Sequence, residues 1–585
     1  MPWYSRNRVK YRRSPTGLNT PLLIAVLIVA AAGGAETSEP VSFWEDLPDD
    51  VVRERLLDAM TPEELIGQTL MIGWVGQDPS SEALEWIRTT NLGGVKIFGW
   101  NGADLIRLAH ALGTMQELAA AHRLDIPLLT ATDQEGGWVR HVKGSGDLST
   151  IITPGNMAIG ASNLPYDAYR SAYYIGMELR ALGINMNFAP TVDVYINPEA
   201  HVIGPRAFSN DPVQSGLLGT AFFHGLDETR VIATAKHFPG HGNASEDSHG
   251  VLPVIYDSMD ELTSRDLVPF RFLIKEGVPA ILSGHLRFPS IWDDGRPASL
   301  SAYFKRQLLR RDLGFEGLII TDDLYMGGAW EYGADRNWGI EEIVVEALRA
   351  GNDLVMLSQT PTPRGSLYEH LMSTYEADPS FREIVREAAG RVIDLKLEYL
   401  KPANRVPLVP DVERIADAMR EQGSLDFLRD QAARSVTVVR DALLPFDTSR
   451  HGRVLLAGKD QDFLRIGADF LPHANRHRLS PGRFFSADEA EIRRFRNLVL
   501  EYDTVVFCLS DPHSLQILAA IEDLEAEVVV LSILTPIYLA ELPWVGTALA
   551  LYGWGEESFR AGFSALFGRI TPSGRLPVSI DRGHH

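Results

Sequence analysis

The most constraining feature of this 585-residue sequence is an alternation repeated from about Phe43 to about Leu400. Eight short apolar runs recur, each separated from the next by a helix-like stretch. They are Leu70–Val75, Gly94–Phe98, Pro127–Thr132, Asn185–Ala189, Val231–Lys236, Ala280–Ser283, Gly317–Thr321 and Asp353–Leu357. Several are apolar throughout rather than at every second position. Strands covered on both faces have that character, as parallel strands beneath helices do. Tyr166–Leu182 is a representative intervening helix, entered at Pro165 and stopped at Gly183. Eight strand–helix units predict an α/β fold with a (β/α)₈ barrel of TIM type over residues 41–400. A doubly wound open sheet is the competing layout.

Residues 401–413 (KPANRVPLVPDVE) hold three prolines and no clear period, and read as a linker. The pattern then restarts. Ala432–Val439, Arg453–Ala457, Thr504–Leu509, Glu527–Ile533 and Thr547–Leu551 look like strands with helices between them, giving a second, smaller α/β domain over 414–585. The single cysteine, Cys508, lies in the apolar run TVVFCL and reads as core. One cysteine excludes a disulfide framework and a cysteine-rich metal site.

The first 40 residues differ from the rest. Arg6, Arg8, Lys10, Arg12 and Arg13 precede any acidic residue, and the apolar stretch Pro21–Ala35 follows, with Gly33 and Ala35 as small residues for cleavage. This is the pattern of a secretory signal. The stretch is shorter than the roughly 20 residues of a stable span. A cleaved leader is expected, with an uncleaved membrane anchor as the alternative. Both place the protein outside the cytoplasm: periplasmic, extracellular or anchored facing outward. The formal net charge of -22 argues against nucleic acid as a partner.

In a (β/α)₈ barrel, chemistry belongs at the C-terminal ends of the strands. Asp133 follows the third run. Asp193 follows the fourth, with Arg206 further along that loop. Lys236 and His237 follow the fifth, His285 the sixth, and Asp322 and Asp323 the seventh. Ionisable residues thus gather at one rim. The loop Lys236–Gly250 (KHFPGHGNASEDSHG) is the richest segment. Asp247 and His249 are two residues apart, close enough for the carboxylate to hold an imidazole nitrogen and tune the other as acid or base. His237, His241 and His249 lack helical spacing and no HExxH occurs, so no metal and no cofactor is predicted. Asp322 closes an apolar strand and would need cations such as Lys236 or Arg206 to remain ionised. Asp323 reads as a helix N-cap.

KHFPGHG followed by DSH, together with DQEGG, FAPTVDV, VIGPRAF, PASLS and TDDLYMGG, resembles glycoside hydrolase family 3 over about residues 45–400. The bacterial β-N-acetylglucosaminidase branch is the nearer likeness. The resemblance implies a retaining, two-step hydrolysis of terminal β-linked N-acetylglucosamine from cell-wall fragments, muropeptides or chitin-type oligosaccharides. Asp322 then corresponds to the nucleophile and His249 to the acid/base oriented by Asp247, in place of the second carboxylate common in glycosidases. Asp133, Arg206, Lys236 and His237 correspond to residues that hold the sugar, with His285 close by. One departure stands out. The family usually continues DQEGG with Arg-Val-x-Arg, whereas this chain has Trp138, Val139, Arg140 and His141. His141 takes the place of a sugar-binding arginine, with Arg140 as a candidate to substitute for it. RSVTVVRDALLPF and FGRITPSGRLPVSI, within 432–582, resemble the second α/β sandwich domain of longer members, to which no catalytic residue is assigned. Other readings stay open: a phosphorylase with phosphate as acceptor, a β-glycosidase for another sugar, or a non-catalytic carbohydrate-binding envelope protein. The last has no need of Asp322, His249 and Asp247 together. The oligomeric state is not indicated.

Overall fold

A computed structural model describes residues 41–480 and 486–580. The leader or anchor expected at 1–40 lies outside the described residues. Among the described residues no helix is long and apolar enough to cross a membrane.

The eight apolar runs form the eight strands of a closed parallel barrel. They are β1 (Leu70–Gly73), β2 (Gly94–Ile97), β3 (Leu129–Thr132), β4 (Met186–Asn187), β5 (Ile232–Phe238), β6 (Ala280–Ser283), β7 (Leu318–Asp323) and β8 (Leu354–Leu357). Each strand pairs with its neighbours in sequence, and β1 closes on β8 with Leu70 opposite Val355. Closure excludes the open doubly wound sheet.

The strands are apolar at every position because they have two buried faces. Inward residues Met71, Leu129, Ala131, Met186, Ile232, Leu282, Ile320 and Met356 fill the barrel. Val392, Leu395, Tyr399 and Leu400 of the helix Pro379–Leu400 join that cluster. The alternate residues Ile72, Val95, Ile97, Ala233, Ile281, Ile319 and Val355 pack outward against the helices. Removing one such side chain, Ile320→Ala for example, costs about 2–5 kcal/mol. The helix expected at Tyr166–Leu182 spans Pro165–Ala181, and Gly183 beyond it sits at φ 76°, a conformation that stops a helix cheaply.

The second sheet contains β9 (Thr437–Asp441), β10 (Val454–Gly458), β11 (Asn475–Arg478), β12 (Thr504–Leu509), β13 (Glu527–Ser532) and β14 (Thr547–Ala550), in the order β9-β14-β13-β12-β10-β11. All pairs are parallel except β9 with β14. Cys508 is buried in β12. Two elements differ from the sequence reading. Ala432–Ser435 is not strand but the end of the helix Gln422–Ser435, because Phe427, Leu428, Gln431, Ala432 and Ser435 recur at helical spacing and are buried. Strand β11 (NRHR) carries no apolar pattern because it is an edge strand with mostly exposed side chains.

The barrel loop that carries Arg206 rests on the second domain. Tyr195, Ala200, Ile203 and Ala207 share an apolar cluster with Leu515, Tyr538 and Leu539. Near the C-terminus, the Pro577 carbonyl accepts from Ser209 Oγ at 2.7 Å and from the Asn210 amide at 3.0 Å.

Candidate active site

A cavity of 410 Å³ opens at the C-terminal ends of the barrel strands. Asp133, His141, Arg206, Lys236, His237, His249 and Asp322 all line it. Asp247 and His285 stand one contact behind, bonded to His249 and to the Asp323 carbonyl. The residues singled out in the sequence are therefore brought to one place. All described lining residues belong to the barrel.

The floor is a buried network of alternating charges. Asp133 receives Lys236 Nζ at 2.5 Å on one oxygen and Lys96 Nζ at 2.6 Å on the other. Glu135 accepts from Arg206 Nε at 2.9 Å and Nη2 at 2.8 Å, and lies 2.5 Å from Lys236 Nζ. Burial alone would raise both carboxyls. For Asp133, the ammonium groups of Lys236 and Lys96 hold it well below the usual range. For Glu135, Arg206 and Lys236 bring it to about 2. Burial likewise opposes the charge on Lys236, which Asp133 and Glu135 restore and push up. The result is a buried set of ionised donors (Lys96, Lys236, Arg206) and acceptors (Asp133, Glu135) already paired with one another at the cavity floor.

His237 is held by Asp193, whose Oδ2 lies 2.7 Å from Nδ1 and whose Oδ1 accepts from the His241 amide at 2.7 Å. The other ring nitrogen of His237 lies 3.2 Å from Arg206 Nη2. His141 is pressed down to about 4, first by burial and then by Lys96, and is therefore a neutral ring. Its Nδ1 is buried without a hydrogen-bond partner, and so is that of His241.

Asp322 is the penultimate residue of β7, near the strand's C-terminal end, and its side chain reaches the cavity. The expected pairing with Lys236 or Arg206 does not occur, because Asp133 and Glu135 already occupy those cations. Asp322 instead accepts the Asp323 amide at 2.9 Å. Burial works to raise its carboxyl, but His285 and His237, with that amide and His249, bring it below the usual value. Asp323 is not a helix cap either. The next helix, Gly327–Ala334, is preceded by Met326, and Asp323 Oδ1 accepts the amides of Ser358 at 2.8 Å and Tyr325 at 3.2 Å. It ties β7 to the loop after β8.

The histidine loop lies across the mouth. His249 Nδ1 donates to Asp247 at 2.7 Å, which leaves Nε2 as the other ring nitrogen. This bond, ahead of the opposing desolvation, raises the His249 pKa, and in return takes Asp247 to about 2. Both side chains are exposed, so the pair is open to solvent. The loop backbone is pinned to the helix after Asp322. The Gly327 amide donates to the His249 carbonyl at 2.9 Å, and the Gly328 amide to that of Ser248 at 2.9 Å. A Cβ on Gly328 would lie 2.7 Å from His285 Cβ and 3.2 Å from the Ser248 carbonyl, so only glycine allows this approach.

Arg140 does not stand in for the missing arginine. Its Nη1 donates to the carbonyls of Thr150 at 2.8 Å and Ile151 at 3.0 Å, on the far side of the hairpin from the cavity. Adjacent residues of an extended segment point to opposite faces, so His141 enters the site and Arg140 leaves it. Sequence reasoning also passed over Lys96 and Glu135. Lys96 gave a signal, being a lone charge within the buried run GVKIF. Glu135 was visible only as part of DQEGG.

Residues 61–395 match the model of the glycosyl hydrolase family 3 N-terminal domain. Over 322 residues the chain is 34% identical to a β-hexosaminidase of Tolumonas auensis, covering 53% of this chain and 91% of that protein. It is 33% identical over 328 residues to β-hexosaminidase A of Pseudoalteromonas piscicida, covering 51% of this chain. There the matched part is only 54% of the relative's length. Among solved structures, a family 3 β-N-acetylglucosaminidase from Paenibacillus sp. superposes with a TM-score of 0.78 at 29% identity, covering 90% of this chain and 100% of that one.

Proposed function

This chain belongs to glycoside hydrolase family 3, and from that premise we propose that it is a retaining exo-β-N-acetylhexosaminidase. It releases terminal β-linked N-acetylglucosamine from cell-wall fragments or chitin-type oligosaccharides. The observation that carries the reading is that Asp322 and His249 line one sugar-sized cavity, with Asp247 bonded to the histidine.

In the first step an ionised Asp322 oxygen attacks the anomeric carbon while His249, as imidazolium, gives its Nε2 proton to the departing glycosidic oxygen. Asp247 favours that protonated ring. In the second step neutral His249 takes a proton from water, which attacks the same carbon and frees Asp322. Asp133, Lys236, Arg206 and His237 hold the sugar hydroxyls, and His141 adds a neutral contact. His285 bears on Asp322 through its position behind β7. The β-hexosaminidase names of the relatives support the sugar assignment. Export of the enzyme through its basic-apolar leader belongs to the same proposal.

A panel of chromogenic β-glycosides, run on wild type and Asp322→Ala, tests this. N-acetylglucosaminide is expected to be the best substrate, with nearly all turnover lost in the variant. Equal rates in the two proteins remove Asp322 from the mechanism. A panel in which β-glucoside or β-xyloside is preferred overturns the sugar assignment.

A further inference from the structure

The hairpin that follows β3 separates two cavities. Val139 and His141 face the site described above, whereas Trp138 and Arg140 line a second cavity of 430 Å³. The far wall of this second cavity is the C-terminal edge of the parallel sheet. Asp460 lies just beyond β10, and Trp554 to Glu557 follow β14. In open parallel sheets that edge is where ligands are held.

Its two walls carry different chemistry. One wall carries Arg140 and Lys143 of the barrel, with Arg420 from just before the helix Gln422–Ser435. None of the three is within ion-pair distance of a carboxylate among the described residues. Arg140 is aimed by its bonds to the Thr150 and Ile151 carbonyls. The nearby carboxyl of Glu178 is no full counter-charge, because burial pushes it up to about 7. On the opposite wall the acids are largely committed. Asp462 and Glu556 share Arg465 at 3.1 and 3.2 Å, and Asp460 caps a helix through the Phe463 amide at 2.9 Å. Between the walls lie two indoles, Trp138, which is 44% exposed, and Trp554. The helix Glu556–Leu566 also opens here, with no side chain capping its first amides.

We propose that this interdomain cleft is a second binding site, separate from the catalytic cavity, for a carboxylate-bearing saccharide. The carboxylate pairs with the Arg140, Lys143 and Arg420 wall, where charge-assisted contacts are strongest. The apolar face of the sugar ring lies on indole, which offers area at little cost in conformational freedom. The sugar hydroxyls donate to the carboxylates across the cleft. The hairpin gives the site a direct neighbour in the catalytic cavity, since Trp138 and Val139 are consecutive residues facing opposite ways.

Calorimetric titration with a galacturonic acid trisaccharide tests the proposal, using N-acetylglucosamine to fill the catalytic cavity and maltotriose as the neutral control. Wild type is expected to bind the acidic trisaccharide with or without N-acetylglucosamine, more weakly as salt rises, and to ignore maltotriose. The pair Lys143→Gln and Arg420→Gln is expected to weaken binding at least about tenfold, as is Trp554→Ala, with unchanged turnover. Any of these results overturns it: no binding at millimolar sugar, displacement by N-acetylglucosamine, equal binding of maltotriose, or full affinity in both variants. Should a variant melt early, salt dependence in the filled wild type decides, and salt-independent binding refutes the site.

Discussion

Replacing Glu135 by glutamine tests the charge network at a buried carboxylate held by two cations. The side chain is 2% exposed, receives two bonds from Arg206 and touches Lys236. Those cations outweigh burial and take its pKa from the ordinary 4.5 to about 2. That difference corresponds to about 3 kcal/mol of stability, at the lower end of the roughly 3–5 kcal/mol for breaking a buried ion pair. Asp133 remains beside Lys236, which favours the lower end. The pKa is depressed in the folded state, so the stabilisation is complete above pH 4.5 and disappears as pH falls from there toward 2. Glu135→Gln is therefore predicted to lose about 3 kcal/mol at pH 7. The gap to wild type narrows by about 1 kcal/mol at pH 4, where unfolded glutamate begins to protonate. Urea titrations at both pH values, at fixed ionic strength, measure it. Arg206 also loses its two-point hold, so kcat/KM for the N-acetylglucosaminide falls. A loss under about 1 kcal/mol, or a gap that stays constant with pH, refutes an ionised Glu135 as the counter-charge.

Three other substitutions bear on the site. Asp247→Asn removes the bond that raises His249, so the alkaline limb of the kcat/KM profile moves to lower pH while the acid limb, set by Asp322, stays; an unmoved alkaline limb contradicts the pairing. His141→Ala deletes a neutral ring whose Nδ1 makes no hydrogen bond within the protein, and is expected to raise KM roughly five- to tenfold with little change in kcat. Gly328→Ala places a methyl group 2.7 Å from His285 Cβ and displaces the histidine loop. A shift near 1 Å can cost about a hundredfold in kcat, and an unchanged kcat would show that the loop's docking on this helix is not needed.

How much of this was legible in the sequence depended on what each residue answers to. The eight barrel strands were legible because burial on both faces writes an unbroken apolar run, as in Ala280–Ser283. Edge strand Asn475–Arg478 was not, because its mostly exposed side chains impose no pattern. The site residues were legible wherever they stand at the C-terminal end of a strand, as Asp322 does. Their pairings were not. Lys236 looked like a partner for Asp322, and only the closed barrel shows that Asp133 and Glu135 take it first. Arg140 looked like a substitute for an arginine, but side-chain alternation in the hairpin turns it away. Asp323 read as a cap because local sequence cannot reveal a bond to Ser358, 35 residues on.

The central proposal is that Asp322, the penultimate residue of β7, forms a covalent bond to the sugar while the His249–Asp247 pair moves the proton. Peptide mass spectrometry of enzyme trapped with a slow, fluorinated N-acetylglucosaminide measures this directly. The account predicts one glycosyl adduct, located on Asp322. An adduct on Asp323 or Asp133, or no adduct together with an inverted anomeric product, would contradict it.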